Sequence, residues 1–268
     1  MIDKPPRIAL LIDADNSPSA KIGLILNELS TYGETSIRRA YGNWKKQELR
    51  GWEELLHEHA IRPMQQFDYS KGKNASDMAM VIDALDLLYS DQPEAFGIVS
   101  SDADFTPLVM YLRAKGAAVY GFGAQKTPEP FVNACSRFLY LDKLAVTAAA
   151  VDIDTGELTR DESGGTPLRV PAAKLKRDAK LVGLLRNAVE AAAGESGWAR
   201  VGAVGQQIGN QASFDPRNYG YSRLGLLVED QNYVDAEHPE GGQPRVRLRS
   251  QRPPRKRTAT KKASTAKG

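Results

Sequence analysis

The chain is 268 residues long and 41% hydrophobic, with a single cysteine and a formal net charge of +3. That length exceeds one average domain and predicts two, while no apolar run approaches the ~18 residues a membrane span needs. A lone Cys135 excludes an internal disulfide and a thiolate zinc site, and reads as a small core residue.

From residue 7 to about 144 the sequence alternates apolar strands with amphipathic helices. The expected strands are 7–12, 36–41, 61–67, 96–100, 117–122 and 138–141. Between them Ile22, Ile25, Leu26 and Leu29 show helical spacing, followed by Leu49, Trp52 and Leu56. The pattern continues through Met78, Val81, Ile82 and Leu85, then Phe105, Leu108, Val109 and Leu112. Four helices between six strands predict an α/β, doubly wound parallel sheet covered on both faces.

The segment 152–171 (DIDTGELTRDESGGTPLRVP) is rich in charge, Gly and Thr without an apolar period, and reads as a flexible linker. Beyond it come helices over 174–193, 201–211 and 222–229, the turn FDPRNYGY, and short strands 233–236 and 246–248 around the turn HPEGGQ. Three helices and a terminal hairpin make a winged helix-turn-helix. From Arg245 onward there are ten Lys or Arg and no acid, whereas the first 244 residues carry 26 basic and 33 acidic side chains. An unstructured basic tail binds polyanions by counterion release, and Arg255, Lys256 and Arg257 are its densest run; solubilisation or nuclear import through PPRKR is the plainer reading. The acids in MIDKPPRIALLIDAD, where a signal peptide would be apolar, predict a cytosolic protein.

The chemistry-bearing residues stand where strands end. Asp13 follows four apolar residues and precedes Asp15-Asn16-Ser17-Pro18, and Asp102 and Asp104 repeat the design after GIVSS. Carboxylates at the C-terminal ends of parallel strands face one crevice, the usual ligand site of such a sheet. Asp77 opens a helix after SKGKNAS and supplies a further ligand to that crevice, with Lys71 and Lys73 near enough to contact substrate phosphates. Helix capping is the plain alternative for each acid, and it weakens when two sites of the same design occur in one sheet. Clustered carboxylates repel unless a cation neutralises them, which points to Mg²⁺ or Mn²⁺. Asp83 and Asp86 lie elsewhere on the helix and read as structural or solvated, and His57, His59 and His238 as incidental.

LLIDADN, the Asp77 helix and VSSDADFTPLV together resemble the NYN domain, a branch of the PIN-like metal-dependent ribonucleases, over residues 7 to about 144. The resemblance implies a PIN-like sheet, with Asp13, Asp77, Asp102 and Asp104 as metal ligands and Asn16 and Ser101 supporting the site. It implies RNA cleavage by a metal-activated water, leaving a 5′-phosphate and a 3′-hydroxyl, and pairing as a homodimer through this domain. Ser101 stands where the family more usually has glycine. FDPRNYGYSRLGLLVEDQNYVD is similar to the core of the OST-HTH domain, also called LOTUS, an RNA-associated winged helix. On that resemblance Arg217 and Arg223, and less so Tyr219 and Tyr221, are candidates to pair with or stack on nucleotides, against packing within the domain.

The resulting division is a nuclease domain over 1–146, a linker over 147–173, a winged helix over 174–249 and a basic tail over 250–268. Two other readings compete. A haloacid-dehalogenase-like phosphatase would use Asp13 as nucleophile and Asp15 as acid and base, although Asn16 departs from that family's loop. A non-catalytic RNA adaptor would keep the acidic pocket and bind through the winged helix and tail.

Overall fold

The structure, a computed structural model, describes residues 4–67, 75–143, 175, 177–194, 196–239 and 242–249. Strands β1 (Arg7–Asp13), β2 (Glu34–Gly42), β3 (Arg62–Gln65), β4 (Ala95–Val99), β5 (Ala118–Gly123) and β6 (Arg137–Tyr140) form one sheet in the order β3-β2-β1-β4-β5-β6. Every pairing in it is parallel. All six expected strands are present. β1 is central, and Ile8 to Ile12 are fully buried because helices cover both faces.

Alternation along β1 divides the core. Ile8, Leu10 and Ile12 pack with Ile22, Ile25 and Leu29 of α1 (Ile22–Ser30). Ala9 and Leu11 point the other way, into a cluster with Met80, Ala84 and Leu87 of α3 (Ala75–Ser90) and Leu108 and Leu112 of α4 (Thr106–Ala114). A short 3₁₀ turn (Gln47–Trp52) leads into α2 (Glu53–Glu58), which joins β2 to β3. The sequence reading missed α5 (Glu129–Ala134), a six-residue helix that begins after Pro128 and contains Pro130.

The chain runs outward from β1 to β3 and then returns through α3 to β4, on the other side of β1. That reversal makes the carboxyl ends of β1 and β4 the topological switch point, where such sheets bind their ligands. Gly123, at the end of β5, is needed nearby: a Cβ there would lie 2.6 Å from the Ser100 carbonyl oxygen. Cys135 is buried in the core, and burial pushes its thiol up to about 12.

The C-terminal part contains α6 (Ala179–Ala192), β7 (Ala199–Arg200), α7 (Val201–Gln211), a 3₁₀ turn (Pro216–Tyr219), α8 (Leu224–Glu229), β8 (Val234–Glu237) and β9 (Arg245–Leu248). The three strands form an antiparallel sheet in the order β7-β9-β8. Leu185, Val204, Ile208, Tyr221, Leu227 and Val246 build a separate core. Asp178 caps α6 by accepting from the Leu181 N–H at 3.0 Å. Among the described residues no helix is long and apolar enough to cross a membrane. The expected linker 147–173 and tail 250–268 lie outside the described residues, as do Lys71, Lys73, Arg255, Lys256 and Arg257.

Candidate active site at the sheet switch point

Asp13 is the deepest of the acids. It is 1% exposed at the end of β1, and its carboxylate accepts from the Asn16 amide at 3.0 Å and from the Ser100 hydroxyl at 2.9 Å. Burial raises its pKa above the usual carboxylate range, although these hydrogen bonds pull it back. Asn16 thus holds the Asp13 carboxylate from three residues along the chain. Ser101 does not reach the acids in the same way: its hydroxyl accepts from the Ala124 N–H at 2.8 Å and ties the loop after β4 to the end of β5.

Ser100 is the residue the sequence reading overlooked. Its hydroxyl donates to Asp13 and accepts from the Asp102 N–H at 3.1 Å, so one side chain joins the two acidic motifs. A serine ending an apolar strand gives no periodic signal; only its place beside β1 in the sheet reveals the role.

Asp102 precedes a 3₁₀ turn (Ala103–Phe105) and accepts from the Asp104 N–H at 2.9 Å, which is the capping geometry weighed against metal binding. Asp104 is exposed. Asp77 lies in the first turn of α3, where burial and the negative charges of Asp13, Asp102, Asp15 and Asp104 push its carboxyl up to about 6. The fold thus brings the four predicted acids into one electrostatic neighbourhood. Asp15 beside them is paired with Lys46 at 3.1 Å.

The donor set suits a hard divalent cation, being made of carboxylate and neutral oxygen donors at a strand mouth. Among the described residues, no group of three or more His, Cys, Asp or Glu side chains converges closely enough to enclose an ion. The chemistry of these donors fits such a cation. Asp83 is structural, as expected: it accepts from Arg39 and Tyr41 of β2 and fastens α3 to the sheet.

The sequence profile of the NYN domain matches residues 7–142, the whole parallel sheet, and that of the OST-HTH/LOTUS domain matches residues 175–246. The chain belongs to the NYN domain family. NYN domains are PIN-like nuclease domains, and OST-HTH/LOTUS domains bind RNA. An uncharacterized protein of Methanocaldococcus jannaschii is 29% identical over 123 residues, covering 44% of this chain and 48% of that protein. The chain thus spans about half the length of the curated relative it matches. A crystal structure of a protein of unknown function from Vibrio parahaemolyticus aligns with a TM-score of 0.44 at 18% identity, over 59% of this chain and 99% of that one.

In the OST-HTH domain the predicted RNA-contacting residues have different fates. Arg223 is exposed just before α8, and its guanidinium has no partner among the described residues. Arg217 is engaged: it donates to both Glu28 oxygens, at 2.6 and 2.7 Å, and to Asp215 at 2.8 and 2.9 Å. Tyr221 is 2% exposed in the domain core, and Tyr219 stacks with Phe214 at 5.7 Å, so both tyrosines pack. The basic run that starts at Arg245 begins within the OST-HTH domain, in β9. Arg245, Arg247 and Arg249 pair with Glu237 and Asp235, and the first two lie over the Trp198 ring.

Proposed function

We propose that the protein is a metal-dependent endoribonuclease acting in the cytoplasm. In this reading Asp13, Asp77, Asp102 and Asp104 hold Mg²⁺ or Mn²⁺. The observation that carries it is the join between the two acidic motifs at the sheet mouth, where the Ser100 hydroxyl links the Asp13 carboxylate to the Asp102 N–H in a cluster whose burial and charges raise the Asp77 carboxyl. A pure binding module gains nothing from clustered negative charge facing a polyanion. Bound there, the cation supplies a water of lowered pKa and stabilises the charge on the leaving oxygen of a phosphodiester.

The protein's own part is positional. Asn16 and Ser100 fix the Asp13 carboxylate, and Ser100 also sets the backbone at Asp102, so the ends of β1 and β4 are held as one unit. Arg223, Lys71, Lys73, Arg255, Lys256 and Arg257 are proposed to hold RNA phosphates and bases. Arg217 is left out, since its donors are already engaged. A non-catalytic RNA adaptor is the second reading, favoured by the engagement of Asp102 as a cap.

The test is incubation of the full chain with labelled single-stranded RNA and, separately, a chromogenic phosphate monoester, each with Mg²⁺ or Mn²⁺. RNA cleavage without monoester turnover supports the nuclease. Monoester turnover abolished by Asp15→Asn would instead support the phosphatase, and binding without turnover the adaptor.

A further inference from the structure

The DPRNY turn of the OST-HTH domain touches the NYN domain rather than facing outward, and the contact is specific. Asp215 and Arg217 come from the turn, and Glu28, Tyr32 and Arg137 come from α1, its C-terminal loop and β6. Arg217 grips Glu28 with both terminal nitrogens, and Tyr32 donates to Glu28 at 2.6 Å. Arg137 donates to the Tyr32 hydroxyl at 2.9 Å and lies 3.6 Å from Asp215, which closes the ring back to Arg217. Two carboxylates and two guanidinium groups make the set neutral. Glu28 is 6% and Asp215 1% exposed.

Beside this ring, Asn218 completes the edge of the parallel sheet. β6 is an edge strand, whose free backbone groups would otherwise be left without partners. The Asn218 side chain donates to the Phe138 carbonyl at 2.9 Å and accepts from the Tyr140 N–H at 3.2 Å, as a neighbouring strand would. Lys143, the last described residue before the OST-HTH domain, donates to the Asn218 carbonyl.

Burial of charge makes the ring a matter of specificity. Paired ions buried together add little net stability, but separating them leaves an uncompensated charge, so one arrangement is selected strongly. Bidentate guanidinium–carboxylate geometry adds a directional requirement. A contact serving only the OST-HTH fold would need Asp215 and Arg217 but neither Glu28 nor the β6 backbone.

We infer that the Asp215–Tyr219 turn is a docking element, and that its partner is the β6 edge and Glu28 of the same chain's NYN domain. Arg217 and Asn218 are positioning residues that mount the winged helix at a fixed place on the sheet and leave Arg223 exposed. Because the two domains are joined in one chain, the effective concentration of the turn at β6 is high. The inference is independent of whether the acidic mouth cleaves RNA.

The test is a spin-label distance measurement on the full chain carrying Asp86→Cys and Asn210→Cys, both exposed positions, with buried Cys135 left unlabelled. A single narrow distance is expected. It should broaden in Glu28→Ala, which leaves the Asp215–Arg217 pair intact, and in Asn218→Ala, with circular dichroism unchanged in both. A broad distribution in the parent protein would overturn the inference, and so would a narrow one that survives both substitutions. Loss of the narrow distance on dilution with unlabelled protein would assign the turn to a second copy, contradicting docking within one chain.

Discussion

Replacing Asp77 with asparagine should stabilise the metal-free protein while removing cleavage. Asp77 carries a carboxyl raised from its ordinary 3.8 to about 6, first by burial and then by the charges of Asp13, Asp102, Asp15 and Asp104. Ionised in the fold, it therefore costs stability. The cost is absent below pH 3.8, where the folded and unfolded chains both carry the proton, and complete above about 6. At about 1.4 kcal/mol per pH unit the ceiling is roughly 3 kcal/mol, and solvent screening at a partly exposed carboxylate reduces this to about 1 kcal/mol. That corresponds to a rise of roughly 2–4 °C in Tm. The assay is thermal unfolding with chelator at pH 7.5 and pH 4, parent and variant side by side. The gain should be present at pH 7.5 and fade at pH 4, and added Mg²⁺ should raise the parent's Tm more than the variant's. A variant no more stable than the parent at pH 7.5, or equally favoured at both pH values, would refute the reasoning.

Ser100→Ala removes the hydroxyl that joins Asp13 to the Asp102 backbone, and should cost about 2 kcal/mol in urea unfolding together with most of the cleavage activity; unchanged cleavage would remove Ser100 from the site. Asp83→Ala leaves Arg39 and Tyr41 without their carboxylate and should cost about 2–4 kcal/mol, with cleavage by the folded protein retained at low temperature. Loss of cleavage at unchanged stability would move Asp83 into the active site.

The strand framework and the placement of the acids were readable because parallel strands buried on both faces appear as unbroken apolar runs, and here two of them stop at aspartates: ALLID at Asp13 and GIVSS before Asp102. The Asp77 helix was expected where it lies, but its apolar face was not the one expected: Met78 and Ile82 are exposed, and the helix packs on the sheet through Met80, Ala84 and Leu87. Ser100 was not readable, since a hydroxyl at a strand end has no pattern of its own and gains its role only when β1 and β4 become neighbours. The ion pairs of Arg217 were not legible for a related reason. An arginine beside two tyrosines in an RNA-associated motif suggests nucleotide contact, whereas its partner Glu28 lies 189 positions away in the last turn of an amphipathic helix. Long-range ion pairs leave no local trace in sequence. The helix α5 escaped because QKTPEPF carries two prolines, which also mark loops.

The central claim is that the acids at the ends of β1 and β4 act together on RNA. It is tested most directly by single-turnover cleavage of an end-labelled RNA in the presence of Mg²⁺ or Mn²⁺, comparing the parent chain with a variant carrying Asp13→Asn and Asp102→Asn. The parent should cut internally, leave 5′-phosphate ends and stop on chelation, while the variant falls to background with its RNA binding intact. A parent that binds RNA without cutting it under either cation, or a variant that still cuts, would contradict the account.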